Sequence, residues 1–394
     1  MVLSVRSEPF IIPEYSLTGD MLSFLSCPLH YRYQNKGNLP SADPLTLYFG
    51  EFIHGFMEEA YIEWEKNKKD FPWDWKNDIR PIELLIDKRL KTRGVNPPVH
   101  MFCPHDENYK RKGLCPDENH PHKLTASKRT ESMINIWGPH LFHLIDDAEV
   151  KLKGLRKIPN YKKEINRSEY YGIKGVVDVV SSFNLNEVSS SNLIFKFLED
   201  DLTYKKKMTE LNLDEFEIII DYKGMKRPAL TSEKWKHHEW QVQTYSWLRK
   251  RQKQSKPVIA GILFYINELY PSKQGLQELK HDIKKNITDI KPSEDDYNKL
   301  MNWKVEDKIP NFSEEFKIKR SIRIITIENK SIDDSLKNFD STIEQIEKCI
   351  YQEKKGKNLK QIWWAIAEKN KCISCDFKSY CDKCHPEAKK LEIP

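Results

Sequence analysis

Residues 215–224 read E-F-E-I-I-I-D-Y-K-G. The run is short, β-branched and almost continuously apolar, the pattern of a central strand buried on both faces. A single carboxylate, Asp221, ends it. A buried carboxylate is costly unless it is paired or binds a metal. Lys223 lies two residues on, and the period-2 alternation of a strand puts both side chains on one face. A second run, G-I-K-G-V-V-D-V-V-S-S at 172–182, carries Asp178 in the same way, and V-I-A-G-I-L-F-Y-I-N at 258–267 reads as a third buried strand. Two carboxylates on neighbouring central strands repel one another unless a divalent cation sits between them. Asp178, Asp221 and Lys223 together can hold Mg²⁺ or Mn²⁺, align a water and stabilise charge developing on a phosphate. The backbone carbonyl of Tyr222 is available as a further oxygen ligand.

Helical periodicity surrounds these strands. Residues 16–34 read as a helix with Ser16 or Thr18 as N-cap, and Gly50 opens another with Phe52, Phe56, Ala60 and Trp64 at helical spacing. His54 and Glu58 stand four apart on it, hence on one face. The histidine can complete a Mn²⁺-tolerant site and the carboxylate can orient it. Met133, Ile136, Trp137, Leu141 and Leu144 give a helix around 128–150, and 184–214 reads as a loop with a helical piece. A helix at 233–253 carries Gln241 and Tyr245 four apart, able to bond phosphate oxygens or stack a base. Residues 317–329 suggest a further strand, and 333–353 an amphipathic helix on Leu336, Phe339, Ile343 and Ile346. The order of elements indicates an α/β core with helical decoration.

Composition narrows the class. The 394 residues are 39% hydrophobic and 11% aromatic, enough for a buried core. No apolar run approaches the length of a membrane span, and the N-terminus lacks the pattern of a secretory signal. A cytoplasmic protein is expected, with thiols kept reduced. The net charge of +6 is uneven: Lys223–Lys256 holds ten Lys/Arg and two Glu. That stretch, with Lys226 and Arg227 near its start, is expected to track a nucleic-acid backbone, and Trp235, Trp240, Tyr245 and Trp247 include candidate stacking platforms. The apolar face of the helix assigns Trp240 and Trp247 to the core.

The ordered set G50-E-F-I-H54, G175-V-V-D178, I220-D221-Y222-K223 and Q241-V-Q-T-Y245 resembles the motifs of the RecB-like branch of the PD-(D/E)XK nuclease superfamily. The resemblance runs over roughly 20–270, with two long insertions at about 66–124 and 184–214. It implies a restriction-endonuclease-like α/β core, a mixed central sheet flanked by helices. It also implies His54, Asp178 and Asp221 as metal ligands, Lys223 as the catalytic lysine, and Gln241 and Tyr245 as DNA-facing residues. The division expected is a helical part at 1–75, a His/Cys-containing insertion at 76–127, the nuclease core at 128–290, an accessory segment at 291–345, and a C-terminal helix and metal-cluster segment at 346–394.

Eight cysteines complete the pattern. Cys27, Cys372, Cys375 and Cys381 are similar in arrangement to the four ligands of the iron–sulfur members of this branch, among them the CRISPR-associated RecB-like exonucleases and the AddB nuclease domain. That likeness implies a 4Fe–4S cluster tying the first helix to the last segment. Cys384 adds an alternative, since Cys372, Cys375, Cys381 and Cys384 form a local set able to hold Zn²⁺. In the insertion, Cys103, His105, Cys115, His120 and His122 offer donors for a second Zn²⁺. Cys349 reads as a core thiol. The function these features imply is a Mg²⁺- or Mn²⁺-dependent deoxyribonuclease, an exonuclease on single-stranded DNA or DNA ends. The alternatives are a non-catalytic DNA-binding subunit of a helicase or CRISPR integration complex, and a zinc-organised protein-interaction scaffold.

Overall fold

The computed structural model describes residues 12–36, 45–98, 100–105, 122–373 and 375–389. Strand β1 (Glu14–Ser16) leads into a π-helical turn at Leu17–Leu22, then α1 (Ser23–Ser26), α2 (Pro28–Tyr31) and a second π turn at Arg32–Lys36. The single helix expected over 16–34 is broken at Cys27, whose backbone is extended (φ −165°, ψ 107°). Pro28 is the cause, because its ring disfavours helical geometry in the residue before it. It then serves as the first residue of α2.

Helix α3 (Leu45–Asn67) starts before Gly50, which lies inside it. It is followed by α4 (Arg80–Thr92) and α5 (Thr125–Leu141). The insertion is therefore built into the domain: Ile79, Ile82, Ile86, Leu90 and Phe102 belong to the same buried cluster as Phe52, Phe56 and Trp137. The helix expected to reach residue 150 stops at Leu141, and Ile145–Lys157 forms strand β2. Past Leu144 the chain is too charged to fill a helix face, and pairing along β3 (Tyr170–Asn184) satisfies its backbone instead.

The stretch expected as a loop with a helical piece holds two short helices, α6 (Leu193–Asp200) and α7 (Leu202–Leu211), capped by the side chains of Asn192 and Asp201. Then come β4 (Glu215–Lys223), α8 (Glu233–Arg249), β5 (Val258–Tyr265), α9 (Lys273–Lys284) and α10 (Glu294–Asn302). The strand expected over 317–329 is shorter: α11 (Glu314–Ser321), capped by Ser313, passes directly into β6 (Ile322–Thr326). The long α12 (Asn329–Lys354) precedes the C-terminal turns α13 (Leu359–Ile362), α14 (Lys369–Ile373) and α15 (Pro386–Lys389).

The six strands among the described residues form one mixed sheet in the order β1-β3-β4-β5-β6, with β2 on the other edge of β3. Pairs β1–β3 and β4–β5 are parallel, the rest antiparallel. Alternation along β4 sends Phe216, Ile218 and Ile220 into the cluster with α3 and α5. Ile219 points into the opposite cluster, with Trp240 and Trp247 of α8 and Phe339 and Ile343 of α12. The sheet is thus covered on both faces, as its continuous apolar strands require. Among the described residues no helix is long and apolar enough to cross a membrane.

One detail of register positions the site. β3 pairs with β4 from Asn184 back to Val179, opposite Ile220, and with β1 from Lys174 to Gly172. β2 fills the other edge of β3 along both segments. Residues 175–178 therefore lie in a fork between β1 and β4, and Asp178 and Asp221 are the first residues past the last β3–β4 pair.

Candidate active site

Backbone groups freed where strands part need new partners, and the fork supplies them from side chains. Asp178 accepts the amide of Tyr222 at 2.6 Å through Oδ2, and its Oδ1 lies 3.1 Å from His54 Nδ1 on α3. Across the fork Asp221 is ion-paired with Lys223. Lys223 Nζ also donates to Gln241 Oε1 at 2.7 Å. The Gln241 amide nitrogen donates to the Tyr245 hydroxyl at 2.9 Å and reaches toward Asp221 at 3.5 Å. All six side chains line one cavity of about 720 Å³. Glycine at 175 makes room for this: a Cβ there would lie 2.6 Å from the Tyr245 ring. Gly175→Ala should displace Tyr245 and with it the Gln241–Lys223 bridge. On the nuclease reading that the sequence resemblance implies, a fall in cleavage rate with little change in melting temperature is the expected result, read by assay and calorimetry side by side.

The sequence reading missed a participant. Glu149 of β2 sits on a left-handed backbone (φ 53°), a conformation unfavourable for a side chain larger than glycine. The flanking pairs Ala148–Val179 and Val150–Val177 place it opposite Asp178. Donor atoms of His54, Glu149 and Asp178 all lie within 4.8 Å of one another, while Asp221 is outside that closest group and is held by Lys223 instead. Had 145–157 been read as a strand paired to 172–182, its register would have exposed Glu149. Glu58, one turn beyond His54, does not line the cavity but is close enough to contribute to the raised pKa of Glu149.

The electrostatics are those of a site with excess negative charge. Burial, and then the neighbouring Asp178, push Glu149 up to about 7. Burial also raises Asp221. Burial lowers the His54 imidazole, but Asp178 and the other carboxylates outweigh it and hold His54 at about 9. One nitrogen and several carboxylate oxygens converging in this way suit a hard divalent cation such as Mg²⁺ or Mn²⁺.

The positive charge lies elsewhere than expected. Arg227 is buried, with Nε 2.9 Å from Asp289 Oδ1, and Asp289 is held down to about 2: burial opposes this and the Arg227 and Arg323 guanidiniums outweigh it. Lys226 is 2.7 Å from Glu278, Arg249 is bound to Glu217, and Arg251 stacks on Trp247. These residues brace the fold and do not line the cavity, and Trp235, Trp240 and Trp247 are core. Lys151, Lys153 and Lys174, exposed on β2 and β3, line the cavity instead, the last two beside the carboxylate of Glu14.

A second cavity, about 190 Å³, is lined by Cys27, Cys372, Cys375, Cys381, Cys384 and His30. His30 Nδ1 lies 3.4 Å from Cys375 Sγ. Burial pushes the Cys375 thiol up to about 11, with Cys27, Cys372 and Cys381 adding to the effect. Cys349 is a buried thiol on α12, as expected. In the insertion Cys103, His105 and His122 come together; Cys115 and His120 lie outside the described residues.

No curated protein matches the chain. Residues 213–382 match the family model described as PD-(D/E)XK nuclease superfamily, a stretch that contains Asp221, Lys223, Gln241, Tyr245 and three of the clustered cysteines.

Proposed function

We propose that the protein is a Mg²⁺- or Mn²⁺-dependent deoxyribonuclease that hydrolyses phosphodiester bonds in single-stranded DNA or at DNA ends. The observation that carries this is the fork, where His54, Glu149 and Asp178 adjoin the Asp221–Lys223 pair in one cavity. His54, Asp178 and Asp221 would hold the cation, with Glu149 beside them and the Tyr222 carbonyl as a further oxygen. A bound divalent cation supplies Lewis-acid charge at the phosphate and lowers the pKa of water. Lys223, kept in place by Asp221 and Gln241, offers an ammonium to the phosphate oxygens. Gln241 and Tyr245 face the strand, and Lys151, Lys153 and Lys174 attract the backbone into the cavity. The preference for single strands and ends rests on the RecB-like resemblance, as does a role in repair, recombination or CRISPR-type defence beside a helicase or integration partner. The resemblance, and the shared cavity of Cys27, Cys372, Cys375 and Cys381, support a 4Fe–4S cluster as a second group.

The test uses end-labelled single- and double-stranded DNA. Chelator should abolish cleavage and added Mg²⁺ or Mn²⁺ should restore it, with products shortening from an end on the single strand. Cleavage indifferent to chelator, or none with any metal, would sink the nuclease reading. Internal cuts at equal rates on both substrates would remove the exonuclease refinement alone.

A further inference from the structure

The strand face that carries Asp178 continues past the fork as an exposed surface. Along β3, Asp178, Val176, Lys174 and Tyr170 share the face on which Asp178 meets His54, by the period-2 alternation of a strand. Leu152, Ile173 and Val177 turn the other way, into the cluster with α8 and α12. On β2, Lys151 stands opposite Val176, Lys153 opposite Lys174 and Lys157 opposite Tyr170, with Leu155 between the last two. Beyond Asp178 all of these face residues are exposed, Leu155 at 60% and Tyr170 at 39%. Same-face neighbours on a strand are about 6.7 Å apart, so the row from Asp178 to Tyr170 runs roughly 27 Å. The metal donors stand at one end of it, and ammonium and apolar groups alternate along the rest.

Two of the lysines already converge on an anion. Glu14 of β1 pairs with Gly172, and its side chain folds over that glycine: a Cβ on residue 172 would lie 3.1 Å from Glu14 Cγ. Glu14 Oε1 is 2.9 Å from Lys153 Nζ, and its Oε2 is 3.8 Å from Lys174 Nζ. Lys157, at the far end, is shared with Glu169 at 2.8 Å. Ion pairs as exposed as these are weak, and a phosphate arriving between Lys153 and Lys174 can take both ammoniums. Val176, Leu155 and Tyr170 offer apolar surface to unstacked bases, which a single strand presents and a duplex hides. We propose that this face is the path of single-stranded DNA outside the catalytic cavity. Lys151, Lys153, Lys174 and Lys157 follow its phosphates, Tyr170 stacks a base at the far end, and Glu14 occupies Lys153 and Lys174 until a phosphate displaces it. The inference rests on the nuclease reading of the fork and names the surface that leads substrate to it.

Binding of a labelled oligothymidylate to the intact chain tests the path, followed by fluorescence anisotropy with chelator present so that cleavage does not enter. The strand is made longer than the about eight nucleotides that the row spans at duplex rise. Glu14→Gln should tighten binding about two- to fivefold at low salt. Lys153→Gln should weaken it and lower the log–log salt slope by about 0.7. Tyr170→Ala should weaken it at least about fivefold, and Tyr170→Phe, which keeps the ring, should not. The substituted side chains are all exposed, and melting temperature checks the fold of each variant. Parental affinity in Tyr170→Ala, or no gain in Glu14→Gln, overturns the proposal. So does a duplex of the same length that loses as much affinity with Tyr170→Ala. Cleavage with added metal is read separately. A strand bound through these residues but never cut would sink the nuclease reading and leave the path standing, whereas cutting by a parent whose variants all bind alike would sink the path alone.

Discussion

Asp178→Asn is expected to reduce DNA cleavage by at least about 10²-fold while leaving the fold intact. The substitution is nearly isosteric, and an amide oxygen can still accept the Tyr222 amide that Asp178 accepts at 2.6 Å. What is lost is the charge shared with His54 at 3.1 Å and with the neighbouring Glu149. A bound metal contributes several kcal/mol of transition-state stabilisation, and each 1.36 kcal/mol is about tenfold in rate, so a weakened site should lose two decades or more. Lys223→Met separates roles within the same cavity. Lys223 contacts Asp221 and Gln241 and is absent from the closest donor group, so metal affinity measured by calorimetry should survive while turnover collapses. A variant of either kind that cleaves at the parental rate would remove its residue from the machinery, and loss of metal binding in Lys223→Met would recast the lysine as a support of the site.

The fork explains how much of this site was legible in the sequence. Asp178, Asp221 and Lys223 could be read because each breaks an apolar run, and a charge inside a buried strand needs a reason. The sheet followed from the same runs, since β4 and β5 are buried along almost their whole length. Glu149 was not legible, because β2 is half exposed and its acidic residues look like any solvated edge; only its pairing to β3 sets Glu149 opposite Asp178. Local charge misled for a related reason. Within the basic run from Lys223, Lys226, Arg227 and Arg249 are paired with Glu278, Asp282, Asp289 and Glu217, partners that only folding brings near. At Cys27 the signal was local but was passed over: the dipeptide Cys-Pro alone is enough to break the helix read over 16–34 and leave the Cys27 thiol on extended backbone.

If the C-terminal cavity holds the proposed 4Fe–4S cluster, Cys27→Ser should remove the iron and lower the melting temperature more than Cys349→Ser, whose thiol lies on α12 away from that cavity. Cys27 and Cys372 are more than 340 residues apart, yet both line the same cavity. A cross-link closing so long a loop is worth up to about 5–6 kcal/mol by chain entropy, with native strain subtracting from it. Other contacts hold the same junction: Leu29 N donates to Trp364 O at 3.2 Å, Arg32 clamps Glu353, and Phe24 packs on Trp363 and Trp364. The variant should therefore still fold in the cold and lose cooperativity on warming. Anaerobic purification decides what the cavity binds. A brown parent protein with about four irons, bleached in Cys27→Ser and in Cys381→Ser but not in Cys384→Ser, is the expected pattern for a 4Fe–4S cluster. A colourless parent with one zinc that survives Cys27→Ser and is lost in Cys384→Ser would assign the cavity to the local four-cysteine set, and the N-terminal turns would then be held to the C-terminus by packing, the Leu29–Trp364 hydrogen bond and the Arg32–Glu353 pair, with no shared metal.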